Sequence, residues 1–186
     1  MTAAVEKFGK ITGLVNSAYG HPGFTDLLDT EEKALRRAMD IILYGAMGMS
    51  RAVVPHMTEG GSIVNVGTMS TRVPLRGEGG YAIAKAAMGC ATQYMALELG
   101  EKGIRVNAIH PGYIYGDSVE WYFNHLAKKR DVPFQEVYDE VASETCLKYL
   151  PHSEEIAGTA VYFASALAKP VTGQMIGVNA GHWFNG

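Results

Sequence analysis

Four short apolar runs, 11–16, 62–67, 104–109 and 174–179, alternate along the chain with stretches of helical character, and no other feature restricts the fold as much. Ile11-Thr12-Gly13-Leu14-Val15-Asn16 and Ile104-Arg105-Val106-Asn107-Ala108-Ile109 read as buried strands. Between Thr30 and Met57 the pattern is helical: Ala34, Met39, Ile42, Ala46, Met49 and Val53 return at three- and four-residue steps. Residues 81–100 form an Ala-rich helical stretch, and residues 3–8 read as the tail of another helix. Ser153, followed by Glu154 and Glu155, predicts the N-cap of a last helix over 153–166. Strand, helix, strand is the order of an α/β fold, whose sites form where strands end.

The composition narrows the function classes. With 47% hydrophobic and 19% charged residues, a net charge of −3 and no apolar run long enough to cross a bilayer, the chain reads as one soluble domain over 1–186. Such a length buries a core without staples, so Cys90 and Cys146 read as reduced core residues of a cytoplasmic protein. The opening Met1-Thr2-Ala3-Ala4-Val5-Glu6-Lys7 lacks the apolar centre of a signal peptide. A slightly acidic chain gives no electrostatic case for nucleic acid, and Lys128-Lys129-Arg130 reads as a solvated helix end. The six histidines show no paired metal spacing, and no H-E-x-x-H, C-x-x-C or G-x-S-x-G is present. Nucleic acid, membrane and metal are therefore not expected as partners.

Chemistry is carried by Tyr81 and Lys85, with Thr68 thirteen positions before the tyrosine at the end of the strand-like run. On a helix, the four-residue step sets the phenol and the ammonium on one face, one turn apart. A fixed positive charge favours phenolate and is expected to pull the Tyr81 pKa down from its ordinary value of about 10. The tyrosine then serves as an acid or base toward an alcohol or ketone, and the Thr68 hydroxyl holds the substrate oxygen. Ten tyrosines and nine lysines in 186 residues would give about half a Y-x-x-x-K match by chance. What lifts the motif above chance is its setting: strand, Thr68, the Gly-rich loop Arg76-Gly77-Glu78-Gly79-Gly80, helix, and a second strand ending in Pro111-Gly112.

In that setting the sequence resembles the short-chain dehydrogenase/reductase family over nearly its whole length. Lys10–Ala18 is similar to the strand carrying the family's Asn-Asn-Ala-Gly motif, Ala52–Met57 to a helix end, and Gly61–Thr68 to the strand delivering the catalytic hydroxyl. Tyr81 and Lys85 fall on the catalytic pair, Arg105–Gly112 on the stretch preceding the nicotinamide, and Val171–Gln174 on the approach to the last strand. The resemblance implies a doubly wound, Rossmann-type parallel sheet, of which these four strands would be family strands 4-5-6-7. It implies an NAD- or NADP-dependent interconversion of a secondary alcohol and a ketone. Catalytic residues would be Thr68, Tyr81 and Lys85. Asn16 and Ala18 would lie along the adenosine, Pro111, Gly112 and Ile114 near the nicotinamide, and Tyr81 and Lys85 would also touch the cofactor.

The departures are as informative. Thr68 replaces the family's usual Ser, and its methyl narrows the pocket. Ile42 stands where the family carries a relay Asn; only its backbone carbonyl would serve there, and only if the helix is locally kinked. Gly116 occupies a frequent Thr position, and Tyr19 interrupts the Asn-Asn-Ala-Gly pattern. No G-x-x-x-G-x-G or G-x-G-x-x-G follows a strand, so the pyrophosphate donors and the residue choosing between NAD and NADP are not found. Strand 11–16 would then be an open apolar edge. The preferred expectation is a fragment or shortened reading of a longer dehydrogenase; the others are a natural short form completed by a partner, and a cofactor-independent or non-catalytic relative that acts as an assembly partner.

Residues 113–150 fall where the family places its substrate lid. Tyr113, Trp121 and Tyr122 lead a crowd of aromatics there, suited to a cyclic, aromatic or steroid-like alcohol or ketone, though they serve equally to fasten lid helices to the core. The small residues of 81–100 permit close helix approach, and by resemblance this helix and the preceding long one imply a homodimer or homotetramer.

Overall fold

The computed structural model describes residues 2–184; Met1, the first residue of the opening stretch, lies outside them. Its centre is a parallel sheet in sequence order, β1 (Ile11–Asn16), β2 (Met57–Val66), β3 (Arg105–Pro111) and β4 (Met175–Val178). Around it lie α1 (Thr2–Phe8), α2 (Glu32–Met39), α3 (Gly45–Val53), α4 (Gly79–Leu99), α5 (Asp117–Arg130), α6 (Phe134–Ser143) and α7 (Ser153–Ala164).

Successive strand residues face opposite sides, and helices cover both. Ile63 packs toward α4 with Ala96 and Val106, whereas Val64 packs toward α7 with Ile109, Ile156 and Phe163. Being covered on both faces, β3 is buried at every position, polar ones included. Those polar groups are satisfied in place. Arg105 donates to the carbonyls of Phe163 and Ser165, and the Asn107 amide bonds the backbone of Val171 and Gln174. Asn16 donates to Asn65 at 2.8 Å, and Asn65 to Thr92 at 2.8 Å, so a buried polar chain links β1 across β2 to α4. β1 is the outer strand on its side of the sheet, with Val15 51% exposed.

Several boundaries differ from expectation. The long helix is interrupted by a π turn over Asp40–Tyr44, and the i,i+3/i,i+4 pattern does not betray it because Ile42 stays buried against Ala84 and Met88. β2 begins at Met57, not 62, because a register shift between Ile11 and Gly13 absorbs the extra residues. Gly79 and Gly80 open α4 instead of belonging to a loop. α7 starts after His152: Glu155 accepts the His152 N–H at 2.9 Å, so Ser153 is already inside the helix. Both cysteines are unpaired but exposed, which corrects their reading as core residues. Cys90 falls off the Ala84–Met88–Thr92–Ala96 stripe that α4 buries, and Cys146 follows the end of α6. Among the described residues no helix is long and apolar enough to cross a membrane.

Candidate active site

At the carboxyl ends of β2 and β3 the chain leaves the sheet, and there the side chains singled out by the sequence converge. Gly67 follows β2 with its N–H bonded to the Ile109 carbonyl at 2.7 Å. Thr68 is extended and caps a short 3₁₀ turn, its Oγ1 accepting from the Ser70 N–H at 3.3 Å. Thr71 donates its one hydroxyl proton to the Thr68 carbonyl at 2.9 Å, so its contact of 3.3 Å to His110 Nδ1 requires the proton on that nitrogen. His110 Nε2 is then a bare acceptor, buried without a hydrogen-bond partner. Burial, with Arg72 and Lys85 nearby, pushes this imidazole down to about 4 and keeps it neutral.

Tyr81 and Lys85 rise from the first turns of α4, beside Thr68. Lys85 is 3% exposed and donates to the Val66 carbonyl at 2.6 Å, with its ammonium 5.7 Å from the Tyr81 ring centre. Thr68, Tyr81, Lys85, Pro111, Gly112 and Ile114 line one cavity of about 230 Å³, with Ser17 and Tyr19 on its wall. An adjoining cavity of about 230 Å³ holds Asn16 and Ala18, and Ser17 borders both. The eight residues assigned to catalysis and cofactor thus line these two neighbouring cavities, although the Asn16 amide is already engaged by Asn65.

The electrostatics reverse one expectation. Burial first, then Tyr19 and Glu78, hold the Tyr81 phenol above its ordinary value, against the weaker opposite pull of Thr68. The Lys85 ammonium, which donates to the Val66 carbonyl, does not offset that rise. Burial pushes Lys85 itself down to about 8. Tyr81 is therefore a proton donor at neutral pH.

The predicted lid residues sit elsewhere. Tyr113 packs on Phe123 and His182, Trp121 is 69% exposed and stacked on His125, and Tyr122 is 43% exposed. None of the three lines the Tyr81 cavity. α5 and α6 close on a small core of their own around Phe123, Val137 and Leu150. Gly116 is extended, with open space where a side chain would stand. Ile42 lies in the π turn, so the helix is locally distorted where a backbone carbonyl was expected to stand in for the relay Asn.

Sequence reasoning missed three groups beside Tyr81. The rings of Tyr19 and His21 lie 5.5 and 5.3 Å from it, and Glu78 Oε2 lies 3.5 Å from His21 Nε2. No spacing rule joins a loop after β1 to the residue before α4. The available signal was the cluster of glycines flanking Glu78, where a bare backbone permits close approach. Among the described residues no group of three or more His, Cys, Asp or Glu is arranged to hold a metal ion.

The chain is similar to known proteins along most of its length. The model of the family described as enoyl-(acyl carrier protein) reductase matches residues 1–182. The chain is 31% identical over 180 residues to the 7alpha-hydroxysteroid dehydrogenase of Escherichia coli, covering 96% of this chain and 66% of that protein. It is 34% identical over 189 residues to the galactitol 2-dehydrogenase of Agrobacterium fabrum, covering 98% and 72%. A crystal structure of a short-chain dehydrogenase/reductase from Brucella melitensis superposes with a TM-score of 0.85 at 29% identity, over 99% of this chain and 70% of that one. The chain thus spans about two thirds of the length of the relatives it matches. A family match along nearly the entire sequence, on a parallel sheet that brings Thr68, Tyr81 and Lys85 into one cavity, makes this chain a member of the short-chain dehydrogenase/reductase family of oxidoreductases.

Proposed function

We propose that the chain carries the proton-transfer end of an NAD- or NADP-dependent oxidoreductase that interconverts a secondary alcohol and a ketone. The observation that carries this reading is the shared cavity of Thr68, Tyr81 and Lys85 at the ends of β2 and β3. Relatives named for alcohol substrates, a 7alpha-hydroxysteroid and galactitol, support it.

The residues present fit the nicotinamide end of the cofactor. The buried Lys85 ammonium spends one proton on the Val66 carbonyl and has two more to offer ribose hydroxyls, while Pro111, Gly112 and Ile114 form an opposing wall. When bound, the nicotinamide supplies or accepts the hydride. The substrate oxygen sits between the Thr68 and Tyr81 hydroxyls. In reduction, the protonated phenol gives its proton to that oxygen as negative charge grows on it, and the Lys85 ammonium stabilises the phenolate left behind. In oxidation the same proton returns, which requires the phenolate that burial disfavours.

Three further assignments belong to this reading. Residues 113–150 act as a substrate lid within one domain, with Tyr113, Trp121 and Tyr122 meeting the substrate's outer end. A homodimer or homotetramer forms through α3 and α4, supported by the exposed apolar side chains of Met49, Ile83, Tyr94 and Leu97. The unpaired Cys90 and Cys146 support a reducing, cytoplasmic setting.

Titration with NADH and NADPH, followed by turnover of ketone panels, tests the proposal. Tyr81→Phe is expected to abolish turnover while sparing cofactor affinity. Turnover retained in Tyr81→Phe would overturn the assignment of the acid.

A further inference from the structure

A ketone oxygen can only accept, so the Thr68 hydroxyl serves it only while its one proton points into the cavity. Whatever aims this hydroxyl therefore bears on the reaction, and the fold aims it with residues that do not line the Tyr81 cavity. Burial, Tyr19 and Glu78 raise the Tyr81 phenol, while a hydrogen bond from Thr68 pulls it the other way. Ser70, 8% exposed, meets Thr68 Oγ1 twice from behind, with its N–H at 3.3 Å and its own hydroxyl at 3.2 Å. With the Thr68 proton given toward Tyr81, Ser70 is the donor in both contacts, and the lone pairs of Thr68 are filled.

The turn that presents Thr68 is only three residues of 3₁₀ helix, Met69–Thr71, and one such turn has little stability of its own. It is tied down through its last residue. The Thr71 hydroxyl donates to the Thr68 carbonyl at 2.9 Å, and His110, one residue before the end of β3, brings Nδ1 to 3.3 Å from Thr71 Oγ1. Since Thr71 has already given its proton, the ring supplies the other one. The donors then run one way, from the buried end of β3 to the turn.

His110 is an expensive residue to keep at this place. It is 3% exposed, and its Nε2 has no hydrogen-bond partner. Gly67, directly before Thr68, is bare where a Cβ would stand 2.5 Å from that nitrogen. An apolar side chain would fill the same space with no unmet acceptor, so packing alone does not call for histidine. What the ring adds over an apolar group is the Nδ1–H toward Thr71.

Resting on the alcohol–ketone reading above, we propose that His110 is a positioning residue: acting through Thr71, it holds the turn that aims the Thr68 hydroxyl at the substrate oxygen, and it touches neither substrate nor cofactor itself.

Two NMR measurements on the full chain need no turnover. The ring nitrogen shifts of His110 report its tautomer, and Nδ1 is expected to carry the proton; a ring protonated on Nε2 would break the chain of donors and overturn the proposal. Three-bond couplings to the Thr68 methyl report its χ1, with one rotamer expected in the unaltered protein and averaging in Thr71→Val, which keeps the shape and removes the hydroxyl. A rotamer untouched by that change would count equally against it. Kinetics uses the ketone of the panel that the unaltered protein reduces fastest. Thr71→Val and His110→Gln should each lower kcat about ten- to a hundredfold, the effect of displacing a group that meets the reacting atom, with KM altered by less than about twofold. His110→Asn sets an amide nitrogen where Nδ1 stood and should keep kcat within about threefold of the unaltered protein. In a Thr68→Ala background, Thr71→Val and His110→Gln should cost less than about twofold, because they act through the missing hydroxyl. Equal losses for Asn and Gln, or an undiminished loss on top of Thr68→Ala, would reduce His110 to a packing residue. If no ketone is reduced, the alcohol–ketone reading falls, and the tautomer and the Thr68 rotamer still decide whether His110 holds Thr68.

Discussion

Replacing Gly67 by Ala tests how rigidly the turn bearing Thr68 is held. A Cβ at this position would lie 2.4 Å from His110 Cδ2 and 2.5 Å from Nε2, more than an ångström inside the roughly 3.5 Å at which such atoms rest. Neither side yields easily. The Gly67 N–H is bonded into the sheet at Ile109, and the His110 ring is buried and tied through Nδ1 to Thr71. Overpacking of this kind costs about 1–3 kcal/mol. Urea denaturation of Gly67→Ala, His110→Ala and the double variant separates the clash from other effects. Removing the ring removes the obstacle, so the double variant should be more stable than the sum of the two single losses predicts, by about 1–3 kcal/mol. Additivity within about 0.5 kcal/mol would mean that the ring swings aside freely, and the account of Thr68 as held by the chain Thr68–Thr71–His110 would fail.

Lys85 gives a prediction in alkali. Its native pKa of about 8 lies below the ordinary 10.5, so between these values the unfolded chain binds more protons and stability rises with pH. The stability difference between the unaltered protein and Lys85→Met, read by urea unfolding, should therefore shift by roughly 2 kcal/mol in favour of the former between pH 8 and 9.5; a constant difference refutes it. His110 acts in acid by the same sign. Held near 4 against an ordinary 6.5, it makes stability fall as pH drops through that window, by roughly 3 kcal/mol in total, and His110→Gln should lose correspondingly less. Asn65→Leu strips the Asn16 amide of its acceptor and Thr92 of its donor in a buried setting, so the unfolding free energy should fall by about 1–3 kcal/mol; a loss under about 0.5 kcal/mol would mean those partners find water.

Much of this was legible along the chain. All four strands were visible because a parallel sheet covered on both faces needs continuous apolar runs, and such runs survive the buried polar residues Asn65, Arg105 and Asn107. The α4 register was visible too, and it alone sets Tyr81 and Lys85 one turn apart. The π turn was not, since a pattern of three- and four-residue steps tolerates one inserted residue as long as Ile42 still faces the core.

Periodicity and spacing therefore determined the fold class and the identity of the Thr68–Tyr81–Lys85 group, for both depend on neighbours a few residues apart. The tertiary structure decided the rest. It buried the Tyr81 phenol, so that desolvation governs it; it left Cys90 and Cys146 in solvent; and it brought His21 to Glu78 across glycines. Each of these depends on desolvation or on contact between distant segments, and neither quantity exists until the chain has closed on itself.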